Sequence, residues 1–177
     1  MDTLLTALYL QIPVVIGGVL HMLAVTQDWL PGLRRPINRR LFGANKTWRG
    51  ILLVPLLTAF GASCLYPVEW LLDDQRIYGN QLVLAGWVAG CGYVLAELPN
   101  SLMKRRLGIA AGETPARHSR LFIFLDQFDS GAGVAIAYAV YPGFDWEVCL
   151  LYAVTFPVTA LLVKRWLFCM NLKKAAV

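Results

Sequence analysis

Charged side chains are scarce in this chain: they make up 15% of its 177 residues, against 58% hydrophobic ones. With a mean hydropathy of +0.56, that balance excludes a large soluble domain and indicates a chain made for a bilayer. Cys64, Cys91, Cys149 and Cys169 show no paired spacing and fall within or beside apolar runs. A disulfide framework or zinc site is thereby excluded, and the four read as small buried hydrophobes. The two histidines, His21 and His118, form no catalytic pattern and read as structural or lipid-facing. There is no internal repeat, no low-complexity tail and no heptad run. The first apolar run has Asp2 where a secretory signal has basic residues, and it is too long for one, so it is expected to stay in the protein.

What is abundant is long apolar sequence. A bilayer core of about 30 Å needs roughly 17 to 25 residues of helix. Five segments reach that length: residues 3–25, 51–72, 81–103, 121–141 and 148–168. The second is the weakest, because Pro67 and Glu69 fall near its outer end. Of the sixteen Lys and Arg, all but Arg76 lie on one side of a five-span arrangement. The positive-inside rule then puts the amino terminus outside and the carboxyl terminus in the cytoplasm. Asp2, Glu69, Asp73, Asp74, Asp145 and Glu147 agree by falling outside. The expected fold is all-α: one polytopic membrane domain, residues 1–177, with about five transmembrane helices.

Inside the fourth apolar segment stand Asp126 and Asp129. A carboxylate at a helix centre costs roughly 2.5 to 3.5 kcal/mol to insert, so such residues usually face a polar cavity and do chemistry or carry ions. Their i, i+3 spacing puts both on one helix face, close enough to hold a divalent ion. Gly133 shares that face and leaves room beside them. A purely structural pairing with Arg105 or Arg120 is the alternative use.

Two further clusters converge on the cytoplasmic side. Glu97, Ser101, Lys104 and Arg105 stand at i, i+4, i+7 and i+8, one polar helical stripe, interrupted by Pro99, which is expected to kink the helix. The loop from Gly43 to Gly50 holds Asn45, Lys46, Thr47 and Arg49 between two glycines, a set able to surround phosphate oxygens. It is not a Walker A loop, since Asn45 stands where the glycine before lysine belongs. Arg34, Arg35, Arg39 and Arg40 read as a juxtamembrane stretch gripping anionic lipid heads. The six Trp fall mostly near span ends, as an interfacial belt does. Gly86 and Gly90 form a G-x-x-x-G that serves packing within one chain or a dimer equally well, so the oligomeric state stays open.

Carboxylates able to hold magnesium, with cations around them at a membrane surface, suit a nucleoside triphosphate reacting with a lipid phosphate. At this point the chain resembles the CDP-archaeol synthase family, small relatives of the CDP-diacylglycerol synthases. The resemblance rests on the Gly43–Gly50 loop, on Ser101-Leu102-Met103-Lys104-Arg105 and on Asp126-Gln127-Phe128-Asp129. The Lys-Asp and His-Gly-Gly elements of the diacylglycerol branch are missing, and residues 108–120 stand there instead, which favours the smaller branch.

The resemblance implies transfer of a cytidylyl group from CTP to an archaetidate-type or phosphatidate-like lipid phosphate, with Mg²⁺ and release of pyrophosphate. Asp126 and Asp129 would hold the metal, with Glu97 as an additional metal or ammonium-type contact. Ser101, Lys104 and Arg105 would bind phosphates of CTP, and Asn45, Lys46, Thr47 and Arg49 would close over the nucleotide or the lipid phosphate. Lys46 and Lys104 join the two aspartates as the catalytic set, and no nucleic acid partner is expected. Two other readings stand beside it: a CTP-dependent lipid alcohol kinase, and a cation transporter that would account for three intramembrane acids.

Overall fold

A computed structural model describes residues 2–73, 76–113 and 119–170. Asp74 and His118, named above, lie outside the described residues, as do Arg117, Lys173 and Lys174 among the sixteen Lys and Arg counted there. Among the described residues there is no strand, only an isolated bridge between Pro36 and Thr47. Seven α-helices among the described residues carry the fold: α1 (Thr3–Tyr9), α2 (Ile12–Thr26), α3 (Trp48–Ser63), α4 (Tyr66–Leu72), α5 (Leu82–Arg106), α6 (Ser119–Val140) and α7 (Trp146–Cys169). They pack in a closed series. α2 lies on α3, α3 on α5, α5 on α6, α6 on α7, and α7 returns to α1.

Among the described residues, length and apolarity sufficient to cross a membrane belong to three helical runs: Thr3–Thr26, Gly79–Arg106 and Trp146–Cys169. A fourth appears if α3 and α4, bent by 41° at their junction, count as one broken span. The protein is thus an α-helical membrane protein, and the five expected segments do not stand on equal footing. α6 has the length, 22 residues. Its apolarity falls short because Asp126, Gln127, Asp129 and Ser130 occupy its middle.

Local chemistry sets the helix ends. The Thr47 hydroxyl accepts from the Gly50 N–H at 3.4 Å, capping α3. Lys104, Arg105 and Arg106 fill the last turn of α5, where the helix dipole favours cations. Pro99 does not interrupt α5, which runs as one helix through it. The break between α1 and α2 exposes the Leu10 carbonyl, and the Tyr138 hydroxyl donates to it at 3.1 Å. Tyr78 meets Tyr138 hydroxyl to hydroxyl at 3.0 Å.

At the same end Glu69, expected on the outer side of the membrane, is buried, 3% exposed. It accepts from the Tyr9 hydroxyl at 2.9 Å and from the Tyr78 N–H at 3.0 Å. Tyr78, Tyr138, Tyr152, Phe144 and Phe156 pack ring against ring around this network. It clasps α1, α4 and the start of α5 about 30 Å along α5 from Asn100, given 1.5 Å of rise per residue.

Glycine brings helices together where the site needs them close. A Cβ on Gly92 of α5 would lie 2.5 Å from the Gly133 carbonyl oxygen of α6, and one on Gly133 would lie 2.4 Å from that of Gly92. The room expected beside the carboxylates at Gly133 is therefore filled by the backbone of α5. Gly86 and Gly90 likewise meet Ala62 and Pro55 of α3, so the G-x-x-x-G packs within one chain.

Candidate active site

About two helical turns beyond Gly92, toward its C-terminal end, α5 turns Glu97, Asn100, Ser101, Lys104 and Arg105 into a cavity of about 360 Å³. From α6, Asp126, Gln127 and Asp129 face them, and the loop before α3 contributes Asn45 and Lys46. α7 supplies Lys164, and Glu113 closes the rim. The two loops meet at Gly43, whose φ of +88° and 2.8 Å approach of a built Cβ to Ala111 leave no place for a side chain. Ile37 N–H donates to the Lys46 carbonyl at 2.9 Å and pins the loop that presents this lysine.

The two carboxylates are held from α5. Asn100 Nδ2 donates to Asp126 at 2.7 Å and to Asp129 at 2.5 Å. Lys104 Nζ donates to Asp126 at 2.5 Å, so neither Arg105 nor Arg120 is the partner of that carboxylate. Ser130, 1% exposed, donates to Asp129 from its backbone N–H and, at 3.0 Å, from its hydroxyl. Lys164 Nζ donates to Gln127 at 2.6 Å. Two buried polar atoms at the site are left unpartnered, Asn100 Oδ1 and Arg105 Nε.

Of the two contacts expected of it, metal or ammonium, Glu97 makes the ammonium one. It forms an ion pair with Lys46, and among the described residues no group of three or more acidic, histidine or cysteine side chains is placed to hold a metal ion. A two-carboxylate site remains. It fits magnesium, which takes one or two carboxylates and completes its shell with water and substrate phosphates. The buried, unpartnered Asn100 carbonyl oxygen beside the pair is a further hard oxygen of the kind that ion accepts.

Of the loop residues expected over phosphate, Asn45 and Lys46 reach the cavity. Thr47 and Arg49 instead line a second cavity and have structural work: Thr47 caps α3, and Arg49 is 4% exposed. The Arg49 guanidinium donates to Asp28 at 2.9 Å and to the Trp29 carbonyl at 3.0 Å. Asn100, Gln127 and Lys164 were not foreseen in roles. Asn100 carried a usable signal, since it stands three residues after Glu97 and four before Lys104, on the same stripe.

A polar, half-enclosed chamber lined by seven cationic or amide side chains and two clasped carboxylates can take a polyphosphate with its counter-cation. No family model matches the chain, and no curated protein or solved structure matches it either.

Proposed function

We propose that this protein transfers the cytidylyl group of CTP to a membrane lipid phosphate, giving a CDP-activated lipid and pyrophosphate. The observation that carries the reading is the gathering of Asn45, Lys46, Ser101, Lys104, Arg105, Asp126 and Asp129 around one cavity of about 360 Å³. Ligand sites usually span roughly 300 to 1,000 Å³, so the chamber suits one nucleotide better than a nucleotide and a lipid together. The motif resemblance drawn from the sequence supports the identity of the nucleotide. The reading includes a five-span arrangement with α6 as the fourth span, the amino terminus outside and the cavity facing the cytoplasm, supported by the basic loops.

In the reaction an oxygen of the lipid phosphate bonds to the α-phosphorus of CTP while the bond from that phosphorus to the bridging oxygen of the β-phosphate breaks. Pyrophosphate leaves with the bridging oxygen. The lipid phosphate is already anionic at neutral pH, so the reaction needs no histidine base. Lys104 and Arg105 neutralise charge on the leaving pyrophosphate, a role suited to fixed cations in a site with little water. Asp126 and Asp129 would hold Mg²⁺, which would supply charge neutralisation and in-line alignment of the phosphates. Asn100 and Ser130 keep the two carboxylates oriented.

The test is transfer of label from cytidine-labelled CTP into lipid, in micelles with Mg²⁺, offering an archaetidate-type ether lipid and phosphatidic acid side by side. Label in the lipid phase, lost by at least about a hundredfold in Asp129→Asn, is the expected result; removal of one charge-stabilising group has effects of that size. Label absent from both lipids with folded protein overturns the reading. Transfer of γ-label instead would identify a kinase.

A further inference from the structure

A second cavity, of about 450 Å³, adjoins the first between α2, α3 and α5. Its lining is amphipathic. Lys46 and Arg34 stand at the loop end, and Ile51, Val54, Val94 and Leu98 line the membrane side. The two cavities share Asn45, Lys46 and Glu97, so the Lys46–Glu97 ion pair is part of the wall between them. A third, apolar cavity of about 150 Å³ continues from the second, with His21, Val54 and Tyr93 common to both.

We propose that the second cavity binds the lipid phosphate, and that the Lys46–Glu97 pair is a latch which this phosphate opens. The proposal rests on the cytidylyl-transfer reading and assigns the second substrate its place. A phosphate monoester on hydrocarbon needs a cation at one end of its site and apolar walls at the other, which the second cavity supplies and the first, with its carboxylates, does not. Arg49 is committed to Asp28 and the Trp29 carbonyl, and Arg34 to Asp28. Lys46 is the cation whose partner stands at the boundary.

A phosphate dianion outcompetes a single carboxylate for an ammonium, because the Coulomb attraction grows with its charge. Lys46 then swings to the lipid, and Glu97 is released toward the first cavity, which it shares with Asp129. Added negative charge there favours a bound cation. Lipid phosphate and magnesium nucleotide therefore strengthen one another's binding, and by linkage the strengthening is reciprocal.

The test measures binding, separately from transfer, on the full chain in micelles. The probes are dioctanoyl phosphatidic acid, dioctanoylglycerol, which lacks the phosphate, and CTP with Mg²⁺. Lys46→Met is expected to weaken dioctanoyl phosphatidic acid by about tenfold or more, the scale of one charge-assisted hydrogen bond. Dioctanoylglycerol should change little, and CTP, whose cavity Lys46 also lines, should weaken less than phosphatidic acid does. Glu97→Gln, which opens the latch, is expected to tighten phosphatidic acid and to diminish the mutual strengthening with CTP.

Lys46→Arg guards against misfolding, since it keeps the charge and should keep phosphatidic acid binding. Loss of CTP binding in Lys46→Met with phosphatidic acid unaffected would overturn the assignment, as would unchanged phosphatidic acid affinity in Glu97→Gln. Binding results in line with expectation but no label transfer by the wild-type protein would leave this site standing and remove the reaction instead.

Discussion

Asn100 presents one amide nitrogen to two carboxylates, at 2.7 Å and 2.5 Å, while its carbonyl oxygen is buried without a partner. The amide nitrogen thus sits between the acids where a cation would sit. Asn100→Ala removes two charge-assisted hydrogen bonds at once, and in metal-free buffer the loss should be about 1.5 to 3 kcal/mol. Mg²⁺ relieves the same repulsion, so it should stabilise the variant more than the wild type. Thermal unfolding in micelles with and without MgCl₂ checks this, and equal shifts in both proteins would refute it.

At this scale the sequence is legible where chemistry repeats along one helix face. Glu97, Ser101, Lys104 and Arg105 form the expected stripe and reach one cavity. Partners from elsewhere in the chain are not legible. Arg49 matched a phosphate-binding pattern, yet its partner Asp28 lies in another loop, twenty-one residues earlier. Lys164 stands near the end of the last apolar segment, and only the packing of α7 on α6 brings it to Gln127.

The reach of Asn100 to both carboxylates depends on how closely α5 and α6 approach. Gly92 and Gly133 set that spacing, with each backbone inside the space a side chain would take. Gly92→Ala puts a methyl group 2.5 Å from the Gly133 carbonyl oxygen and 2.7 Å from Ala137 Cβ. One helix must move, and overpacking of this kind costs about 1 to 3 kcal/mol. Label transfer should fall together with stability, because Asn100 and Lys104 are carried away from α6.

Gly18→Ala on α2 is the control, since nothing lies within 4 Å of its built Cβ, and it should leave both quantities unchanged. Equal effects of the two substitutions would mean that the α5–α6 spacing does not set the site. Small residues announced close packing in the sequence, but periodicity could not say which helix approached. The G-x-x-x-G fitted a dimer as well as a monomer, and only α3 lying against Gly86 and Gly90 decides for the single chain.

For the whole molecule the open question is how α6 sits in the bilayer. Asp126 and Asp129 each cost roughly 2.5 to 3.5 kcal/mol at a membrane centre, and α6 lacks the apolarity of an independent span. Its carboxylates do not face lipid, however. Asn100, Lys104 and Ser130 meet them, and α5 and α7 pack on either side. A helix whose polar groups are satisfied by its neighbours can cross as part of a bundle even when it would not insert alone.

Crossing by α6 has a readable consequence. The loop after α5 and the start of α7 then lie on opposite membrane faces, and without the crossing they lie on the same one. Leu107 and Glu147 are both exposed. In a background lacking the four native cysteines, Leu107→Cys should react with an impermeant maleimide only from the cytoplasmic side, and Glu147→Cys only from outside. Labelling of both from one side would make α6 a re-entrant or peripheral helix. The chain would then have fewer spans than its five apolar segments suggest, and the carboxylates would reach the cavity from the surface instead of through the membrane.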